Sequence, residues 1–295
     1  MTSMAETILV TGATGTVGTE VVNQLSNVKS DLKIKAAVHS VENAKKIQNF
    51  QRVEPIQIDY DTQEGLQAAF KDADKLFLLT HPSPKSADHE RNLVTEAKKS
   101  GIRQIVKQSI MGADLKANVE AMRLHRQTEK AIEESGIPYT FLRPNEFMQG
   151  FINFQGSTIK SNNAFYIPAG DAKVSMVDAR DIAAVAVKAL VNGERHYNKT
   201  YLITGPEPMS YYQAAEILSN ATGKKIDYVN ISDEEARGAM KEVGLNDWLI
   251  DTISGLYSYF RKGYASQVSS EIEEVTGKKP ITFAQFAKDY ADAFR

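Results

Sequence analysis

The sequence predicts an α/β fold on a doubly wound parallel sheet, followed by a smaller, mostly helical C-terminal lobe, and three observations carry that prediction. Short β-branched runs alternate with helix-period stretches through the first two thirds of the chain, the pattern of βαβ units. Three glycines, Gly12, Gly15 and Gly18, stand between the first apolar run and the first helical pattern. The last third changes character, with helical periodicity and repeated helix-start signals. The first two observations describe a Rossmann-type nucleotide-binding domain over residues 1–144. The third describes residues 145–295 as mostly a substrate lobe, with segments near 175–206 returning to the sheet.

In chain order, strands are expected at Thr7–Thr11, Ile34–Val38, Pro55–Asp59, Lys75–Thr80, Ile102–Gln108, Tyr139–Arg143 and Tyr201–Thr204. After the first strand, Val17, Val21, Val22, Leu25 and Val28 fall on one face of a helix. Beyond Arg143 the pattern loosens into an aromatic, glycine-containing segment from Asn145 to Val174, and a helix resumes near Asp181. In the last third, Ser210 with Gln213, Ser232 with Glu235, Ser270 with Glu273 and Thr282 with Gln285 each have capping-box spacing.

Composition narrows the function. A chain of 295 residues with 42% apolar and 24% charged residues has room for a large core and the balance of an ordinary globular protein. A formal net charge of -2 gives no broad positive surface for a nucleic acid. With no cysteine, disulfides, thiolate nucleophiles and cysteine metal sites are excluded, and five scattered histidines without metal-ligand spacing predict no metal centre. No apolar run reaches the length of a bilayer span and no signal sequence is visible, so a cytoplasmic protein is expected.

The loop from Thr11 to Gly18 carries the chemistry. One glycine permits the tight turn, one lets the backbone approach a diphosphate, and one allows close packing of helix on strand. The helix start adds outward amides and a positive dipole end, so Gly12, Thr14, Gly15, Thr16, Val17 and Gly18 are expected to bind a dinucleotide. At the end of the second strand, where an acidic residue would hold a ribose hydroxyl, the chain has His39. His39, Ser40, Lys45 and Lys46 offer groups for a 2′-phosphate, which favours NADP(H) over NAD(H); the alternative is a surface loop with no preference. Asp59 ends the third strand either beside the adenine or as a turn cap.

The segment Ser135-Gly136-Ile137-Pro138-Tyr139-Thr140-Phe141-Leu142-Arg143-Pro144-Asn145-Glu146-Phe147-Met148 resembles the NmrA-like atypical short-chain dehydrogenases/reductases, as do Ile105 to Ser109, Val177 to Ala183 and Thr276 to Pro280. Within that group it is similar to the type 2 NAD(P)H:quinone oxidoreductases and the triphenylmethane reductases. The resemblance implies that Thr80 and His81, and the loop Pro144, Glu146 and Phe147, lie by the cofactor. It also implies a small, planar, electron-poor substrate.

The wider superfamily uses a Tyr four residues before a Lys, and none of the 12 tyrosines here has that spacing. The resemblance of His125-Arg126-Gln127-Thr128-Glu129-Lys130 to the family helix implies that Ala121 stands where the Tyr would be and His125 where the Lys would be. A quinone or cationic dye is already electrophilic and accepts hydride without obligatory protonation by a phenol, so the departure agrees with the implied acceptors. His125, by hydrogen bonding or water-borne proton delivery, and Ser109, at the end of the fifth strand, are the candidate catalytic residues; the alternatives are an exposed helix histidine and a turn cap. Phe147, Phe151, Phe154, Phe165, Tyr166, Trp248, Tyr257 and Tyr259 are candidate pocket aromatics, most of them expected in the core. The expected activity is hydride transfer to quinones or related conjugated compounds by a monomer or homodimer. A non-enzymatic NADP(H)-sensing regulator is the alternative, and a nucleotide-sugar epimerase is disfavoured by the missing tyrosine.

Overall fold

The computed structural model describes residues 5–295, leaving the side chain of Val41 aside. Along the chain run β1 (Glu6–Val10), α1 (Thr16–Ser26), β2 (Leu32–Val38), α2 (Val41–Ala44), β3 (Val53–Gln57), α3 (Gln63–Phe70), β4 (Lys75–Leu78), α4 (Ser86–Lys99), β5 (Gln104–Gln108), α5 (Glu120–Ser135) and β6 (Tyr139–Pro144). Then come α6 (Gly150–Asn153), α7 (Gly156–Asn162), β7 (Ala164–Ile167), β8 (Lys173–Val174), α8 (Ala179–Asn192) and β9 (Lys199–Ile203). The remainder holds β10 (Met209–Ser210), α9 (Tyr211–Thr222), β11 (Asp227–Asn230), α10 (Asp233–Glu242), α11 (Asp247–Arg261), α12 (Glu271–Thr276) and α13 (Phe283–Asp289).

The chain forms two compact units, one of residues 1–117, 122–143 and 182–201, the other of residues 118–121, 144–181 and 202–295. A seven-stranded sheet in the order β3-β2-β1-β4-β5-β6-β9 organises the first, and its neighbours from β3 through β6 all pair in parallel. The doubly wound fold is therefore present, and the strand order reverses between β1 and β4, where open α/β sheets bind ligands. Strands buried on both faces need continuous apolar runs: Ile8, Leu9 and Val10 are wholly buried, as are Leu76, Phe77 and Leu78. Val17, Val21, Val22 and Leu25 form the buried face of α1, which ends at Ser26 and leaves Val28 beyond the helix and half-buried.

The second unit is mostly helical and carries two small sheets, antiparallel β10·β8 and parallel β11·β7. Its helix starts are largely those that the sequence encodes. Ser210 with Gln213 and Ser232 with Glu235 make complete capping boxes. Ser270 does not: its backbone is already helical, and its hydroxyl turns to Glu274 instead of an amide. Thr282 accepts the Gln285 amide, while the Gln285 side chain reaches forward to Asp289 and leaves the box half made. No helix among the described residues is long and apolar enough to cross a membrane.

Candidate functional site

The turn after β1 is fixed by two steric facts. Gly12 has φ +64, and a Cβ there would stand 2.8 Å from the Leu79 carbonyl oxygen. At Gly18 an added Cβ would stand 2.0 Å from the Gly12 carbonyl oxygen, so α1 packs on its own approach loop at a distance that only glycine allows. Thr11 locks the turn to β4, its hydroxyl donating to the Phe77 carbonyl (3.2 Å) and accepting from the Leu79 amide (2.9 Å). The ladder of α1 begins with the Thr19 amide on Gly15, no side chain caps the helix and no acidic residue stands in its first turn. The Gly15 amide bonds the Gly12 carbonyl (3.0 Å), and the amides that follow it, from Thr16 to Gly18, lie at the positive end of α1 ahead of its first helical bond, the arrangement that receives a diphosphate.

The other sequence candidates in this unit follow the carboxyl ends of neighbouring strands, which in a parallel sheet lie on one edge. His39, past β2, is exposed and packs edge-on to Tyr60 at 5.1 Å between ring centroids. Ser40 beside it caps α2, and Lys45 and Lys46 are exposed. Burial raises the Tyr60 phenol to about 12, against the effect of a backbone hydrogen bond at Gly12, so the third strand's end touches the glycine turn through a neutral ring. Asp59 is exposed and its carboxylate accepts the Asp61 amide at 2.9 Å, the turn-capping alternative named above. His81, past β4, is exposed.

Thr80 leads into a buried polar cluster that the sequence did not announce. Its hydroxyl donates to Glu90 (3.0 Å), and Glu90 pairs at 2.6 Å with Lys107, whose side chain has no exposure. Ser109, also buried, donates to Glu129 at 2.7 Å. The guanidinium of Arg143 grips Glu129 through two hydrogen bonds of 2.9 and 2.6 Å, and Arg126 adds a third at 3.2 Å. The Ser109 proton is therefore committed to a carboxylate already held by two arginines. His125 is partly exposed, but its Nδ1 is inaccessible to solvent and has no hydrogen-bond partner. Burial first, and the Lys107 charge second, hold the His125 imidazole well below its ordinary range, so it stands neutral at physiological pH.

Pro144, Glu146 and Phe147 belong to the second unit. Phe147 bridges to Val177, and the adjoining backbone is clamped by the Val177 amide on the Glu146 carbonyl (2.8 Å) and the Met148 amide on the Val177 carbonyl (2.9 Å). The Glu146 carboxyl accepts the Tyr211 hydroxyl at 2.5 Å. Tyr211, first residue of the capped helix α9, is wholly buried. Burial pushes the Glu146 carboxyl up to about 7, with the Tyr211 hydrogen bond working the other way. Of the candidate pocket aromatics, Phe151 and Phe165 are core residues packed edge to face at 5.2 Å, whereas Phe154 is 71% exposed.

Residues 4–287 match the NmrA-like family. The chain belongs to that family. It is 37% identical to an NAD(P)H azoreductase of Xenophilus azovorans over 97% of this chain and 99% of that one. The structure of a Citrobacter sp. triphenylmethane reductase complexed with NADP(H) is similar at a TM-score of 0.83 and 29% identity, covering 96% of this chain and 99% of that chain. An NADPH-dependent quinone oxidoreductase of Escherichia coli, complexed with NADPH, is similar at 0.84 and 28%, covering 96% and 99%.

Proposed function

We propose that this NmrA-like protein is an NAD(P)H-dependent reductase that passes hydride to quinones, dyes or related conjugated, electron-poor compounds. One observation carries the reading: Gly18 packs on the Gly12 carbonyl and presents the start of α1, uncapped by any side chain, at the carboxyl edge of β1. Three relatives whose names include NAD(P)H, NADP(H) or NADPH, two of them solved with the nucleotide bound, support it.

The residues present fit such a nucleotide. Gly12, Thr14, Gly15, Thr16, Val17 and Gly18 would hold its diphosphate, with Thr80, His81, Pro144, Glu146 and Phe147 along its nicotinamide half. His39, not an acidic residue, directly follows β2, and Ser40, Lys45 and Lys46 come after it with Glu42 paired to Lys45 at 3.8 Å; the lack of a carboxylate at the strand end itself favours the 2′-phosphate of NADP(H). Asp59 stands at the adenine side and also caps its turn. The bound nucleotide supplies hydride, and the protein supplies orientation and exclusion of water. Ser109 acts through Glu129 by positioning, and His125, being neutral, acts by hydrogen bonding. The substrate is a small planar molecule, and the protein works in the cytoplasm as a monomer or homodimer, without nucleic acid.

Calorimetry with NADPH and NADH, followed by initial rates on a panel of quinones and triphenylmethane dyes, tests this. NADPH should bind more tightly, and the Gly18→Ala variant, checked for folding, should lose the heat of binding. Binding without oxidation of the nucleotide by any member of the panel overturns the reductase reading in favour of a nucleotide-sensing regulator.

A further inference from the structure

Near the carboxyl end of β6 the Glu146 carboxyl pairs with a phenol, whereas Glu129 pairs with Arg143 of that strand. Glu146 lies two residues past that strand, its backbone amide is bonded to the Asn145 carboxamide (2.9 Å), and Asn145 is tied to the Ala265 carbonyl (2.8 Å). One carboxyl oxygen, Oε2, takes the Tyr211 hydroxyl. Oε1 has no protein hydrogen bond among the described residues, and the residue is partly exposed. The titratable groups facing it are Tyr211 from α9 and Tyr257 from α11, with Tyr228 of β11 one ring further. All three phenols are raised by burial and stay neutral.

We propose that Glu146 is the proton donor for acceptors that become anionic on reduction, giving the proton on its free carboxyl oxygen to the substrate atom that hydride addition leaves negative. The proposal rests on the reductase reading. A quinone gains two electrons and one hydrogen as hydride from NAD(P)H, which becomes NAD(P)⁺, and the hydroquinone monoanion then takes the Glu146 proton. The carboxylate regains a proton from solvent. Tyr211 fixes the carboxyl plane and keeps Oε2 occupied, which leaves the transferable proton on Oε1. A carboxyl titrating at about 7 is matched to this work at neutral pH. A cationic triphenylmethane dye makes the contrast, because hydride alone renders it neutral and no proton is called for.

The test compares quinone and cationic dye reduction by wild type, Glu146→Gln and Tyr211→Phe across pH 5–9, beside infrared titration of the cofactor-free proteins. Wild-type quinone turnover should fall as pH rises through about 7, with dye turnover lacking that limb. E146Q should lower the quinone-to-dye rate ratio by about 10²-fold and abolish the limb. Y211F should move the limb to higher pH, because the lost hydrogen bond had favoured the carboxylate. A protonated-carboxyl band in the wild type, absent from E146Q, should titrate with the same midpoint. A ratio and profile unchanged in E146Q, or no such band, overturns the role of Glu146 alone. A wild type that reduces neither acceptor overturns the reductase reading and the proposal with it.

Discussion

Glu90 and Glu146 are both carboxyl groups drawn out of bulk water, and they differ in what meets them. Glu90, 3% exposed, faces the fully buried Lys107 ammonium and the Thr80 hydroxyl. Glu146 faces a tyrosine hydroxyl. An ammonium answers the carboxylate's charge, so burial there produces a fixed structural pair. A phenol offers a dipole only, so burial leaves an uncompensated cost for the charged form and moves the titration to about 7. The same side chain becomes a brace in one unit and a titrating group in the other.

The largest expected effect comes from making the first site resemble the second. Lys107→Met leaves Glu90 buried without a cation and should cost about 3–5 kcal/mol in urea unfolding. Pairing it with Glu90→Leu should recover most of that loss, because replacing both charges removes the desolvation cost as well. A single-variant cost below about 1 kcal/mol would erase the distinction between the sites. Tyr211→Phe should cost roughly 1–3 kcal/mol. The cost should be greater at pH 8 than at pH 6, since the hydroxyl then bonds an ionised carboxylate.

Lys107 reaches a third group, His125, and pH reveals it. The imidazole is held neutral in the fold and titrates near 6.5 when unfolded, so below that pH the unfolded chain binds more protons. Wild type should therefore lose up to ~1.4 kcal/mol per pH unit below about 6.5 through this residue, a slope absent in His125→Leu. Equal slopes in the two proteins would show that the ring is protonated in the fold. The smallest effect is expected from Thr80→Val, about 1 kcal/mol for one hydrogen bond to Glu90, because Lys107 still satisfies the carboxylate.

Much of the first unit was legible in the sequence, and the reason is local. Inner strands such as β1 and β4 are short runs whose burial demands apolar or β-branched residues, the mostly exposed edge strands β3 and β9 repeat the run at the spacing of a βαβ unit, and the Gly12 to Gly18 turn is contiguous. The small strands β8 and β10 have two residues each, too few to show a period of two. The polar clusters were illegible for a different reason. Lys107 and Glu90 are 17 residues apart, and Glu146 and Tyr211 are 65 apart. Nothing in either residue's neighbourhood along the chain marks it for burial, and Lys107 in particular reads like an outward strand position. The Ser270 box failed because spacing does not fix backbone dihedrals, and Ser270 is already helical where a cap must be extended.

The close approach of Gly18 to Gly12 serves architecture as well as recognition, since the first helix could not lie against its strand without it. A descendant of this protein stripped of every enzymatic duty would still be destabilised by replacing either residue. Retention of that loop across a lineage therefore records a scaffold's inheritance, and the moment at which an enzyme turns into a sensor has to be sought in residues that folding can spare.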